Sequence, residues 1–270
     1  MLKRKINFIE SDAEVETVDH SKSYWNDKSQ EKTKVFNIDE GFEKLESSKK
    51  IQNLFFQLNE ICDQFSIDTN NKRILSIASG TCWIESKWLS KSKPESLTAV
   101  EFSRHRIFDL APKTFKNYKY DYDINLINSN IFDLDTNMHK NYDIVLMCQA
   151  FHHIDEPLRL LRMLKSICNP NAKIIIMGEH YYSPKKYLFG SLKHFIKLII
   201  NYKGYRKDHY LFPAYSEIFQ SSAISGDPKG DIHYSKNEYK YLFKKSGPFK
   251  TDHIVNKSMG IQAYILEVVK

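Results

Sequence analysis

The sequence predicts an α/β fold: a seven-stranded, mostly parallel sheet with helices on both faces. Three observations predict it. Short apolar runs alternate with helical stretches from residue 73 onward, the rhythm of β-α-β units. The first apolar run ends in the turn Ala78-Ser79-Gly80, where a strand feeds a helix. The last two runs are joined by only Lys257 to Gly260, so the sheet closes on an antiparallel hairpin.

The elements follow in order. Residues 1–40 are polar and mixed, with Tyr24-Trp25 and Val35-Phe36 as apolar anchors, and read as an irregular or helical arm. Residues 41–65 read as a helix, because Phe42, Leu45, Ile51, Leu54, Phe55, Leu58, Ile61, Cys62 and Phe65 recur at three- and four-residue steps. Strands are expected at Arg73 to Ala78, Leu97 to Glu101, Ile124 to Ile127, Tyr142 to Met147 and Lys173 to Gly178. Helices are expected at Trp83 to Leu89 and Arg104 to Ala111, and from a cap at Asp155 to Cys168 with Pro157 in the first turn. Residues 181–234 break the rhythm with a crowd of Tyr and Phe punctuated by Gly, Pro and Asp, and read as an inserted lid. Ser235 to Glu238 is a capping box opening a helix to about Lys245, stopped by Gly247-Pro248. Phe249 to Asn256 and Ile261 to Val268 form the hairpin. The organisation expected is an arm and helical N-terminal cap over 1–68, then a core over 69–270 with the lid inserted at about 181–234.

Composition narrows the function. A chain of 270 residues with 41% hydrophobic residues can build one full core. Its net charge of +7 permits an anionic partner without requiring one, because the lysines are spread along the chain. Cys62, Cys82, Cys148 and Cys168 lack zinc or disulfide-framework spacing. With no secretory leader and no apolar run of about 18 residues, the expectation is a cytoplasmic protein without a metal.

The chemistry sits at the first turn. As a dinucleotide fingerprint it would place Trp83 where a small residue must let helix and strand pack, and no Gly-Lys-Ser/Thr follows to make a phosphate loop. What remains is one glycine and, 21 residues later, Glu101 at the end of the second strand. A carboxylate there can accept both hydroxyls of a ribose. The pair reads as an adenosine site with no pyrophosphate to hold.

The stretch from Arg73 to Tyr182 resembles a class I S-adenosylmethionine-dependent methyltransferase. Ile74-Leu-Ser-Ile-Ala-Ser-Gly-Thr-Cys82 resembles the first motif of that family, and Ala99-Val-Glu-Phe-Ser103 the acidic second motif. Asn128 to Leu134 resembles its adenine-binding segment, Tyr142 to His153 its fourth motif, and Cys168 to Ala172 the turn before its fifth strand. Each motif is weak alone; the order and spacing of the five carry the resemblance. Departures are Ser76 where the family has an acid, and Ala78 and Cys82 where it has glycines.

The resemblance implies a Rossmann-like methyltransferase sheet and S-adenosylmethionine as cofactor, held by Ala78, Ser79, Gly80, Glu101, Phe102, Asn130, Ile131 and Cys148, with Tyr24 and Trp25 closing over it from the arm. Candidates for the reaction are His152, His153, Glu179 and His233, strand-end or lid residues able to serve as a base or to orient an acceptor. The expected acceptor is a small molecule, a glycan sugar or specialised metabolite methylated on oxygen or nitrogen, and the expected assembly a monomer or homodimer. The rival readings are an RNA or protein methyltransferase and a non-catalytic methyltransferase-like subunit. The basic segment Lys185 to Lys207 leaves contact with an anionic membrane as a further reading.

Overall fold

The structure is a computed structural model that describes residues 5–10, 46–118, 120–180, 234–256 and 259–269. The expected lid and most of the expected N-terminal arm, with Tyr24, Trp25 and His233, lie outside the described residues.

Among the described residues eight strands form one sheet: β1 (Ile6–Glu10), β2 (Arg73–Ile77), β3 (Ser96–Glu101), β4 (Asp123–Asn128), β5 (Tyr142–Cys148), β6 (Cys168–His180), β7 (Phe249–Asn256) and β8 (Ile261–Val268). Their order is β1-β4-β3-β2-β5-β6-β8-β7, with only the pairs made by β8 antiparallel. The chain winds outward from β2 to β4, then returns to β5 and winds the other way. The switch point therefore lies between the carboxyl ends of β2 and β5, where a ligand crevice opens.

Strand alternation separates two core layers. Leu75, Ile77, Val145, Met147, Ile174 and Ile176 face α4 (Pro157–Ile167) and α5 (Lys236–Ser246). Ile74, Leu146, Ile175 and Met177 face α1 (Lys49–Gln64), α2 (Trp83–Trp88) and α3 (Ala111–Asn117). On α1, Leu54, Leu58 and Ile61 make the buried stripe that the three- and four-residue spacing predicts. The capping box of α5 is complete: Glu238 N donates to Ser235 Oγ, and Ser235 N to Glu238 Oε2. Among the described residues no helix is long and apolar enough to cross a membrane.

Four local expectations are corrected. Ile6–Glu10 is a strand, not irregular or helical arm; it pairs with β4 as an edge, so the sheet has eight strands where the sequence predicts seven. Its sparse burial explains why no core-facing pattern shows. Helix does not stop at Ala111: a wide turn over His105–Leu110 leads into α3, with Pro112 in the first turn, where a missing N–H costs nothing. Asp155 is not the cap of α4; Glu156 is, directly before Pro157 and without a side-chain capping bond. β6 begins at Cys168, opposite Tyr142, and its register jumps to Lys173 opposite Ile144. The excess residues bulge out, with Asn171 left-handed at φ 63°.

A second bulge positions the site. On β6 the pairing with β8 runs from Ile176↔Tyr264 to Glu179↔Gln262, three steps against two. Side chains alternate along a strand, so an unbroken β6 would send Glu179 to the α1 layer after Ile175 and Met177. The extra residue turns Glu179 to the α5 layer. Gly178 makes the bulge at φ 70°, and an added Cβ would meet Gln149 Cγ at 2.7 Å and Leu54 Cδ2 at 2.8 Å. Gly178→Ala is therefore expected to cost about 2–4 kcal/mol, from left-handed strain plus overpacking. Gly260→Ala, with φ 67° but open space around it, should cost only about 1 kcal/mol. Urea denaturation of the two variants checks this; equal losses would contradict the packing argument.

Candidate active site

The first turn keeps a glycine-like backbone although two of its residues are not glycine. Ala78, Gly80 and Cys82 have φ of 51°, 56° and 54°. For Ala78 and Cys82 that conformation costs roughly 1–2 kcal/mol each. Strain of this kind is retained where a ligand or reaction needs the geometry.

Glu101 closes the turn. Gly80 N donates to its Oε2 at 2.9 Å, and Ser103 N to its Oε1 at 2.9 Å. Each oxygen keeps a lone pair for a further donor. The carboxylate is 3% exposed and joins the ends of β2 and β3. Asn128 ties the same corner through Nδ2 to the carbonyls of Glu101 and Phe102, both at 3.0 Å. Asn130 accepts from Phe132 N at 3.1 Å and starts the short turn Ile131–Asp133, so its oxygen holds backbone and its amide nitrogen remains for a ligand. Among the described residues the buried Trp83 Nε1 has no hydrogen-bond partner; an unsatisfied group beside such a turn fits a bound polar molecule. Ala78, Ser79, Gly80, Glu101, Phe102, Asn130 and Ile131 thus lie on the ends of β2, β3 and β4, and Cys148 at the end of β5 across the switch point.

Sequence reasoning missed one residue here. Ser76 stands where the family has an acid, and Ser76 Oγ donates to Glu85 Oε1 at 2.5 Å. Helix α2 thus delivers to this spot a carboxylate that the strand lacks. Glu85 is 3% exposed. Burial pushes its carboxyl up to about 7, against the Ser76 hydrogen bond and with some help from Glu101. A glutamate three residues past Cys82, among apolar neighbours, was the available signal.

A second cluster occupies the ends of β5 and β6. Glu179, fully buried, accepts from Tyr239 OH at 2.8 Å and from Phe151 N at 3.2 Å, and lies 3.0 Å from His152 Nδ1. Burial alone would raise this carboxyl. The facing His152, the Tyr239 hydroxyl and the charge of His180 outweigh burial and hold it below its ordinary value. The ionised Glu179 faces His152 Nδ1 and so orients the imidazole ring. His153 lies against the His152 ring, with centroids 4.2 Å apart. The structure thus brings His152 and Glu179 into contact and sets His153 beside them. Burial first, then nearby carboxylates, raise the thiols of Cys148 and Cys82, which argues against nucleophilic roles for them. Among the described residues no three His, Cys, Asp or Glu side chains could hold a metal ion together.

The folded chain holds the Glu85 proton more tightly than the unfolded chain, whose carboxyl titrates near 4.5. Stability should fall as pH rises from about 4.5 to 7, by about 3 kcal/mol, and level off above that. Glu85→Gln removes this dependence. Denaturation at pH 5 and pH 8 checks it: the variant should gain on the wild type as pH rises, and a constant difference would sink the assignment.

Residues 75–174 match the family model described as a methyltransferase domain. The comparison with curated proteins gave no match. Among solved structures, the complex between the Haloferax volcanii Trm112 methyltransferase activator and a candidate methyltransferase is 11% identical at TM-score 0.54, over 85% of this chain and 93% of that one. An S-adenosylmethionine-dependent methyltransferase from Aquifex aeolicus is 15% identical at TM-score 0.50, over 87% of this chain and 100% of that one. The CurJ carbon methyltransferase is 10% identical at TM-score 0.52; the match covers 87% of this chain and 59% of that one. These likenesses are of fold, and the domain match falls on the strands and turns that build the site. Residues 75–174 thus carry a methyltransferase-domain match, within a fold shared with S-adenosylmethionine-dependent methyltransferases.

Proposed function

We propose that the protein methylates an oxygen or nitrogen atom of a small molecule, using His152 as general base. The observation that carries this is the buried Glu179–His152 contact at the carboxyl ends of β5 and β6, on the crevice side of the switch point.

Glu101 and the Gly80 turn would hold the ribose of S-adenosylmethionine, and Asn130 with Ile131 the adenine. The cofactor supplies a methyl group on a sulfonium, ready for in-line displacement. The protein then has to align the acceptor and take its proton if that proton is tightly held. Glu179 fixes the tautomer of His152, and Tyr239 and Phe151 N fix Glu179. His152 Nε2 is the proton acceptor in this arrangement. A base braced by a buried carboxylate suits a hydroxyl acceptor, whose proton leaves as the methyl arrives. A small acceptor is supported by the depth of the pair: His152 is 5% exposed and Glu179 0%, so a bulky surface has poor access.

The test is transfer of a labelled methyl group from S-adenosylmethionine to a panel of phenols, sugars and amines. Transfer to a hydroxyl acceptor is expected, with kcat lowered about 10²–10⁴-fold in His152→Ala. Glu179→Gln should lower kcat with little change in KM, because it disturbs the tautomer and not the binding surface. Unchanged kcat in His152→Ala, or transfer only to RNA or protein, would overturn the proposal.

A further inference from the structure

A groove lies between α5 and the β7–β8 hairpin. Its volume is about 660 Å³, within the range of small-molecule sites. Lys236, Lys240 and Lys244 line it from α5, and Phe249, His253 and Tyr264 from the hairpin. The lysines recur every four residues, so they form one row, about 6 Å apart along the helix axis. None of the three makes an ion pair among the described residues, whereas Lys173 and Lys250 on the neighbouring strands are both paired with Glu267. Among the described residues no carboxylate lines the groove. A fourth cation reaches its Gly247 end, where Lys165 Nζ comes within 3.1 Å of the place a Cβ would take.

The floor is built. His253 stacks on Tyr264, centroids 4.5 Å apart and planes within 15°. Its Nε2 lies 3.0 Å from Oε1 of the buried Gln262, which also accepts from Tyr264 OH at 3.1 Å. Gln262 Nε2 in turn donates to the carbonyl of His180 at 2.8 Å. Burial, and then Lys236 and Lys240, hold the His253 imidazole below its ordinary value, against the Gln262 contact. Two lysines are therefore close enough to be felt at the floor of the groove.

We propose that this groove binds a phosphorylated small molecule with a ring or other apolar body, at a site separate from the catalytic end. The row of lysines supplies the anion contact, and Phe249 with the His253–Tyr264 stack supplies the apolar one. The site does not depend on the proposed acceptor.

Phenyl phosphate is the probe, because it carries both features and no adenosine that could enter the cofactor crevice. It is titrated into the full chain by calorimetry, and the His253 imidazole is followed by NMR, assigned with His253→Gln. Expected are millimolar or tighter binding, an upward shift of the His253 pKa as the anion offsets Lys236 and Lys240, and at least tenfold weaker binding in Lys240→Glu. Inorganic phosphate should bind more weakly than phenyl phosphate. The proposal is overturned by an unmoved His253, by equal binding to Lys240→Glu, or by a single-stranded RNA that binds there far more tightly than phenyl phosphate. Retained binding of S-adenosylhomocysteine by Lys240→Glu shows that the variant is folded.

Discussion

The site hangs on the carboxylate of Glu101. Its two oxygens take the N–H of Gly80 from the first turn and of Ser103 from the second, so one buried group sets the distance between the ends of β2 and β3. The turn it closes carries left-handed backbone at Ala78, Gly80 and Cys82. A buried carboxylate is costly unless hydrogen bonds satisfy it, and here backbone donors do so without consuming all of its lone pairs. The same two bonds that stabilise the corner therefore leave it able to receive hydroxyl groups.

Two departures from the family pattern have a shared explanation. Ala78 and Cys82 replace glycines yet adopt the glycine conformation, so the loss of glycine is a loss of stability and not of shape. Ser76 replaces an acid, and Glu85 brings a carboxylate back to it from the first turn of α2. Backbone geometry and carboxylate chemistry are thus both retained, by residues other than the customary ones. This weighs against a crevice that has decayed into scaffold.

The positions of the seven strands from Arg73 onward, the hairpin, the α5 capping box and the α1 stripe were legible in the sequence, because each rests on a local pattern: alternation, turn residues or helical spacing. Glu101 was legible for the same reason, as a polar end to an apolar strand at a fixed distance from Gly80. Other features depend on contacts between distant residues. β1 is a strand only because β4 offers it an edge, 118 residues away at the contact between Asn7 and Asn125. Glu179 meets His152 and Tyr239 because the Gly178 bulge reverses its face, and Ile174-Ile-Ile-Met177 gives no sign that alternation will slip. Asp155 and Glu156 are equally plausible caps by type, and only the chain path before Pro157 separates them.

In the proposed function, Glu101 and the Gly80 turn form an adenosine-binding corner. Calorimetric titration with S-adenosylhomocysteine, comparing the wild type with Glu101→Ala, tests it most directly. Micromolar binding by the wild type is expected, with a loss of at least tenfold in the variant, about 1.4 kcal/mol or more. Absence of binding by the folded wild type, or equal affinity in the two proteins, would contradict it.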